Sequence, residues 1–174
     1  GLGANAKAAS IAGDLVVQNA RVRAIGEDAG GFRPISEKDL FDCEYWSLEQ
    51  AKLGKGAPPK FQGKVVMITG GSGTIGFAIA KAFSKLGAQT ILVDKDEIAL
   101  KAAVTKLGVG HKYFPIDVTH SDAANQALLA AINNFGGLDI LISNAGTAHA
   151  GPMLDVSNEE LRNAFELNFF SHYS

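Results

Sequence analysis

The stretch VVMITGGSGTIGFAIAKAFSKLG, residues 65–87, constrains the fold more than any other part of this chain. A short continuous apolar run rich in β-branched residues predicts a strand buried on both faces. Glycines crowd the exit from that run, and an amphipathic segment follows at once. The chain must therefore leave a strand through a tight turn and enter a helix.

The same rhythm continues. KVVMIT is strand one. Residues 75–86 predict a helix with Ile75, Ile79, Ala82, Phe83 and Leu86 facing inward and Gly87 as its stop. QTILVD is strand two, 96–107 a helix, and KYFPID strand three. Ser121 opens a helix reaching Asn134, which Gly136 and Gly137 end. LDILIS is strand four, and Ser157 with Glu160 forms a capping-box pattern at the start of the last helix. Strands alternating with helices predict an α/β fold with a doubly wound parallel sheet and right-handed crossovers. The expected strand order is 3-2-1-4, which leaves LDILIS at an open edge. An edge that apolar predicts self-association, or a chain that is part of a longer one.

Residues 1–60 read differently. Ala8, Ile11, Ala12, Leu15 and Val16 recur at helical spacing and predict a helix over 4–18. AGGFRP punctuates. Ser36 with Asp39 starts a second helix, with Phe41, Tyr45 and Leu48 on one face and Gly54 as its stop. GKGAPP, residues 54–59, reads as a linker, so 1–60 is expected to be a helical appendage and 61–174 the α/β domain. A net charge of −2 gives no reason to expect nucleic acid or anionic lipid as a partner. No apolar run approaches the roughly 20 residues of a membrane span. The single cysteine, Cys43, excludes an intrachain disulfide and fits a reducing cytoplasm. The chain begins on Gly1 and stops at Ser174 in a helical pattern, which suggests a fragment.

The glycine turn has a chemical meaning. Gly71-Ser72-Gly73-Thr74-Ile75-Gly76 fits G-x-G-x-x-G between a strand and a helix. Glycine lets phosphate oxygens approach the backbone, and the helix start offers unpaired N–H groups with about half a unit of positive charge. A pyrophosphate suits that end; the plainer alternative is a turn with no ligand. Asp94 closes strand two, where a carboxylate accepts hydrogen bonds from the ribose hydroxyls of an adenosine. It would repel a 2′-phosphate, at about 4 kcal/mol per unit charge pair near 4 Å. NAD is favoured over NADP, with Lys95 as the one reservation.

Over residues 63–173 these motifs resemble the short-chain dehydrogenase/reductase family, whose domain is of the Rossmann type. Thr69-Gly70-Gly71-Ser72-Gly73-Thr74-Ile75-Gly76 corresponds to its glycine signature, but departs from the commonest spacing, T-G-x-x-x-G-x-G, because Thr74 stands where a glycine is expected; it fits T-G-x-x-G-x-x-G instead. The resemblance implies that Asp117 and Val118 contact the adenine. It implies that Asn144-Ala145-Gly146 stabilises the sheet and lines the cofactor. It makes Asn168 the helix asparagine that helps hold a water in a proton relay. It also implies a small alcohol or aldehyde as substrate and a homo-oligomer or longer chain. GANAKAASIAGDL and FDCEYWSLEQAKLG resemble the aldolase end and connector of bifunctional aldolase/short-chain dehydrogenase proteins.

The family takes the substrate proton with a tyrosine activated by a lysine one turn later, beside a serine. Here Tyr45 is followed at that spacing by Glu49 and Tyr113 by Asp117, while Tyr173 lies one residue from Ser174. The chain is therefore expected to bind cofactor without completing catalysis. The alternative is a non-catalytic dinucleotide-binding or regulatory module. The four histidines show no metal-ligand spacing; His149, after Asn144-Ala145-Gly146, reads as a solvated loop residue near the substrate position.

Overall fold

The computed structural model describes residues 2–3, 6–46, 58–148 and 151–173. They fall into two units, 1–58 and 59–174.

In the first unit, α1 spans Ala6–Asp28. It runs ten residues beyond the expected end at residue 18, because VVQNARVRAI contains neither proline nor a capping residue strong enough to stop it. Gly30 and Gly31, both at positive φ, end it, and the Gly31 amide donates back to the Gly26 carbonyl at 2.9 Å. α2 spans Glu37–Glu44, capped as expected by Ser36, whose Oγ accepts from the Asp39 amide at 3.1 Å. Phe41 and Tyr45 share a face with ring centroids 4.4 Å apart. The expected partner Leu48, the stop at Gly54 and most of the linker lie outside the described residues.

The second unit is a four-stranded parallel sheet in the order β3-β2-β1-β4. Its strands are β1 Val65–Thr69, β2 Gln89–Asp94, β3 Lys112–Pro115 and β4 Ile140–Ile142. Between them lie α3 Thr74–Lys85, α4 Glu97–Leu107 and α5 Ala123–Phe135. After β4 come a short 3-10 turn, Met153–Asp155, and α6, Asn158–Phe165. α6 opens with the expected Ser157–Glu160 capping box and passes into a π-helical turn, Glu166–Phe170.

Strand periodicity sorts the core into two layers. Val65, Met67, Ile91 and Val93 face one side, where they meet Ile116 and, on α5, Ala123 and Ala131. Val66, Ile68 and Leu92 face the other, against Ala80 of α3 and Leu100 and Ala103 of α4. Helices thus cover both faces, as the unbroken apolar strands require. Each of the fully buried Ile68, Ile91 and Leu92 contributes about 1.5–3 kcal/mol of burial.

The inward stripe expected for α3 holds at Ile79 and Phe83, which pack against the core, and needs correction at its other positions. Ile75, Ala82 and Leu86 are exposed; Gly76 and Ala80 are the buried residues, flanked by half-buried Phe77, Ile79 and Phe83. The stripe is rotated by one residue because the smallest side chains let the helix approach the sheet most closely. β4 is also shorter than LDILIS. It pairs with β1 through Ile140, Leu141 and Ile142 only, and among the described residues nothing pairs with its other edge. Lys64 fastens this side of the sheet: its Nζ lies 2.7 Å from Asp139 Oδ1, while Asp139 Oδ2 accepts from the Val65 amide.

His111 ties three elements together. Its Nδ1 accepts from the Thr90 amide at 3.1 Å and pairs with Thr90 Oγ1 at 2.9 Å. With Nδ1 accepting, Nε2–H donates to Ser84 Oγ at 2.9 Å. Burial lowers the His111 pKa from its ordinary value. The neutral form is therefore the one that stabilises the fold. That stability is complete above the unfolded-state value of about 6.5 and is lost as pH falls through the lower folded value. His111→Ala strands the fully buried Thr90 hydroxyl, and is expected to cost about 1–3 kcal/mol in urea denaturation at about pH 8. The variant should also show a shallower loss of stability on acidification than the parent chain.

Candidate functional site

All four strands run parallel, so their C-terminal ends meet along one edge of the sheet. β1 sits where the chain order reverses, between β2 and β4, and there the crossovers diverge and leave a crevice. The tips of β1 and β4 are clamped together above it. Thr69 Oγ1 accepts from the Asn144 amide at 2.9 Å and the Ala145 amide at 3.0 Å. In return, Asn144 Nδ2 donates to the Thr69 carbonyl at 3.0 Å and lies 3.4 Å from the Gly70 carbonyl. Gly70 leaves the strand at φ +62°, and a Cβ there would stand 2.9 Å from Ala145 Cα. A Cβ on Gly71 would meet Leu92 Cβ at 2.8 Å, and one on Gly76 would collide with the Gly70 carbonyl. These three glycines are required by the protein's own packing.

Gly73 is different. Its backbone is extended, and a Cβ there would meet only the Gly70 carbonyl oxygen, at an ordinary 3.4 Å. It occupies the cap position of α3 and offers no side-chain cap, and no acid lies in the first turn. The amides that begin α3 therefore face the crevice with their partial positive charge unanswered. The turn's earlier amides are committed internally: Gly71 N–H to the Val93 carbonyl, Ser72 N–H to Asp94 Oδ2 and Gly73 N–H to the Gly70 carbonyl.

Asp94 stands beside the turn. Its Oδ2 accepts from Ser72 Oγ at 2.5 Å and from the Ser72 amide at 3.3 Å, while Oδ1 accepts from the Lys95 amide at 2.8 Å. Asp117, beyond β3, turns Oδ1 onto the Thr119 amide and hydroxyl at 3.0 and 2.7 Å. Those Thr119 bonds, backbone first, hold its pKa below the ordinary carboxylate value.

The crevice has a volume of about 510 Å³. Gly70, Ser72, Gly73, Thr74, Ile75, Gly76, Asp94, Asp117, Val118, Asn144, Ala145 and Gly146, all singled out in the sequence, line it together. Lys95, Ile116, Thr119, Thr147 and Leu167 line it as well. Thr119 and Thr147 sit within two residues of motif positions; Leu167 carried no sequence signal. Asn168 is not on the lining. Its Oδ1 accepts from the Thr147 amide at 2.8 Å and its Nδ2 donates to the Thr147 carbonyl at 2.7 Å, so it braces the loop after β4 from behind. The π-helical turn carries it there. His172, to which the sequence alone assigns no role, braces the same loop. Its Nε2–H donates to the Ala145 carbonyl at 2.9 Å, and its Nδ1 accepts from Ser143 Oγ at 2.5 Å. His149 lies outside the described residues. Among the described residues no cluster of potential metal ligands forms and no helix is long and apolar enough to cross a membrane.

Residues 64–174 match the family model described as short chain dehydrogenase. The chain belongs to that family. Residues 1–53 match the model for the second domain of class II aldolases. An oxidoreductase of Bacillus subtilis, YuxG, is 36% identical over 138 residues, which cover 75% of this chain and 20% of that protein. Among solved structures, 3-ketoacyl-(acyl-carrier-protein) reductase from Brucella melitensis, complexed with NADH, aligns with a TM-score of 0.62 at 31% identity. That alignment covers 64% of this chain and 47% of the reductase. L-Sorbose reductase from Gluconobacter frateurii, complexed with NADPH and L-sorbose, aligns with a TM-score of 0.61 at 31% identity, covering 67% and 46%. The chain spans less than half the length of these relatives.

Gly70→Ala forces an L side chain into a left-handed conformation and against the backbone of Ala145. A loss of about 2–4 kcal/mol is expected by chemical denaturation. Gly73→Ala, by the same measurement, should lose less than about 1 kcal/mol.

Proposed function

We propose that residues 61–174 are the dinucleotide-binding portion of an NAD-dependent oxidoreductase acting on a small alcohol or aldehyde. The observation that carries this reading is the uncapped start of α3 opening onto a crevice that Asp94 also lines. The fit is supported by Gly73. The protein's own packing does not need a glycine there, and the missing Cβ leaves room for a phosphate to approach the Thr74, Ile75 and Gly76 amides.

The remaining contacts follow from what each group has free. Asp94 and Ser72 face the adenosine ribose. Asp117 keeps Oδ2 available for the adenine amine, and Val118 covers a ring face. Ala145 and Gly146 let the second ribose pass close to the backbone, and Asn168 holds the Thr147 loop that borders it. When bound, the nicotinamide ring supplies hydride transfer. A tyrosine with lysine four residues later does not occur in these 174 residues. They are therefore expected to bind cofactor without turnover, and the proton-transfer group to belong to a longer protein. Residues 1–60 are then the appendage that joins it to an aldolase-like part. Exposed Leu141 on β4 and exposed Phe165 and Phe169 suit an interface with more chain or with a second copy. The free Cys43 suits the cytoplasm.

Fluorescence titration with NADH tests the proposal. Saturable binding is expected, weakened about tenfold or more by Asp94→Ala, since hydrogen bonds to a charged group are worth about 1.5–3 kcal/mol. Asp96→Ala, which removes only the cap of α4, should leave affinity unchanged. Equal effects of the two variants would reject the assigned ribose contact, and no NADH binding at all would reject the proposal. Gly73→Ala should fold and yet bind NADH at least about tenfold more weakly, because its methyl occupies phosphate space.

A further inference from the structure

We infer that Ser72 is the positioning residue that sets NADH-over-NADPH selectivity, by fixing the carboxylate of Asp94. The inference rests on the proposed cofactor and adds a role that the glycine pattern does not assign. A serine at a helix start ordinarily occupies the cap position and gives its oxygen to the helix amides. Ser72 stands one residue earlier, before Gly73, and its hydroxyl points away from α3. It donates to Asp94 Oδ2 at 2.5 Å, and its amide reaches the same oxygen at 3.3 Å.

Two consequences follow from that one displacement. The α3 amides stay uncapped and open to an anion. Asp94, held by Ser72 on one oxygen and by the Lys95 amide on the other, cannot swing out of the crevice. Its negative charge therefore stays on the crevice wall, where a 2′-phosphate cannot tolerate it nearby. A carboxylate has about four acceptor sites, so three donors leave Asp94 about one for a ribose hydroxyl. Ser72 Oγ donates its proton to Asp94 and keeps lone pairs free to accept the neighbouring hydroxyl. The pair is thus complementary to a vicinal diol. Lys95, also on the crevice wall, is the cation that a 2′-phosphate would find once Asp94 were free to turn away.

The test compares Ser72→Ala and Ser72→Thr with the parent 174-residue chain. Dissociation constants for NADH and NADPH are measured in parallel, and thermal melting checks that each variant is folded. Ser72→Ala should lower the NADH-over-NADPH preference about tenfold, with NADH weakened and NADPH unchanged or tightened. Ser72→Thr, which keeps the hydroxyl, should retain the preference within about threefold. A merely structural serine would weaken both dinucleotides alike and leave their ratio where it was. If the parent chain binds NADH and the Ser72→Ala ratio is unchanged, the role of Ser72 is overturned while the cofactor reading stands. If the parent chain binds neither dinucleotide, both are overturned.

Discussion

The crevice depends on the bond between the tips of β1 and β4. Only three residue pairs join those strands, and β4 has no second neighbour among the described residues. What holds its end in place is the exchange between Thr69 and Asn144: one hydroxyl oxygen takes two amides, and one side-chain amide returns to the Thr69 carbonyl. The same exchange brings Ala145 against Gly70 so closely that only glycine fits. The wall formed by Asn144, Ala145 and Gly146 and the wall formed by the glycine turn are therefore one rigid unit. At the opposite end of β4, Lys64 and Asp139 secure the strand's entry. A short strand is thus fastened at both ends by side chains, where ladder bonds alone would be few.

Much of this was legible in the sequence because it rests on local rules. Strand and helix alternation, the Ser36 and Ser157 caps and the stops at Gly87 and Gly136 each depend on neighbours a few residues away. The parallel order β3-β2-β1-β4 followed from the fold class. The glycine turn and Asp94 were found because residue type and spacing carry the chemistry.

What was not legible depended on tertiary packing. Counting apolar residues placed Ile75 and Leu86 inward on α3, but the sheet accepted Gly76 and Ala80, since closeness of approach outweighed side-chain size. The role of Asn168 as a brace for Thr147 required two segments twenty-one residues apart to meet, and a π-helical turn that no propensity announces. His111 and His172 read as unremarkable polar residues. Both turned out to be cross-links, because imidazole can donate and accept at once.

The internal bonding of the glycine turn has a kinetic consequence. Three successive amides, those of Gly71, Ser72 and Gly73, are already fixed to the strands and the turn itself. The loop has little conformational freedom left to surrender to the proposed dinucleotide, so preorganisation would lower the entropic cost of capture. Encounter then needs no loop rearrangement, and differences in affinity among related ligands should appear mainly as differences in residence time.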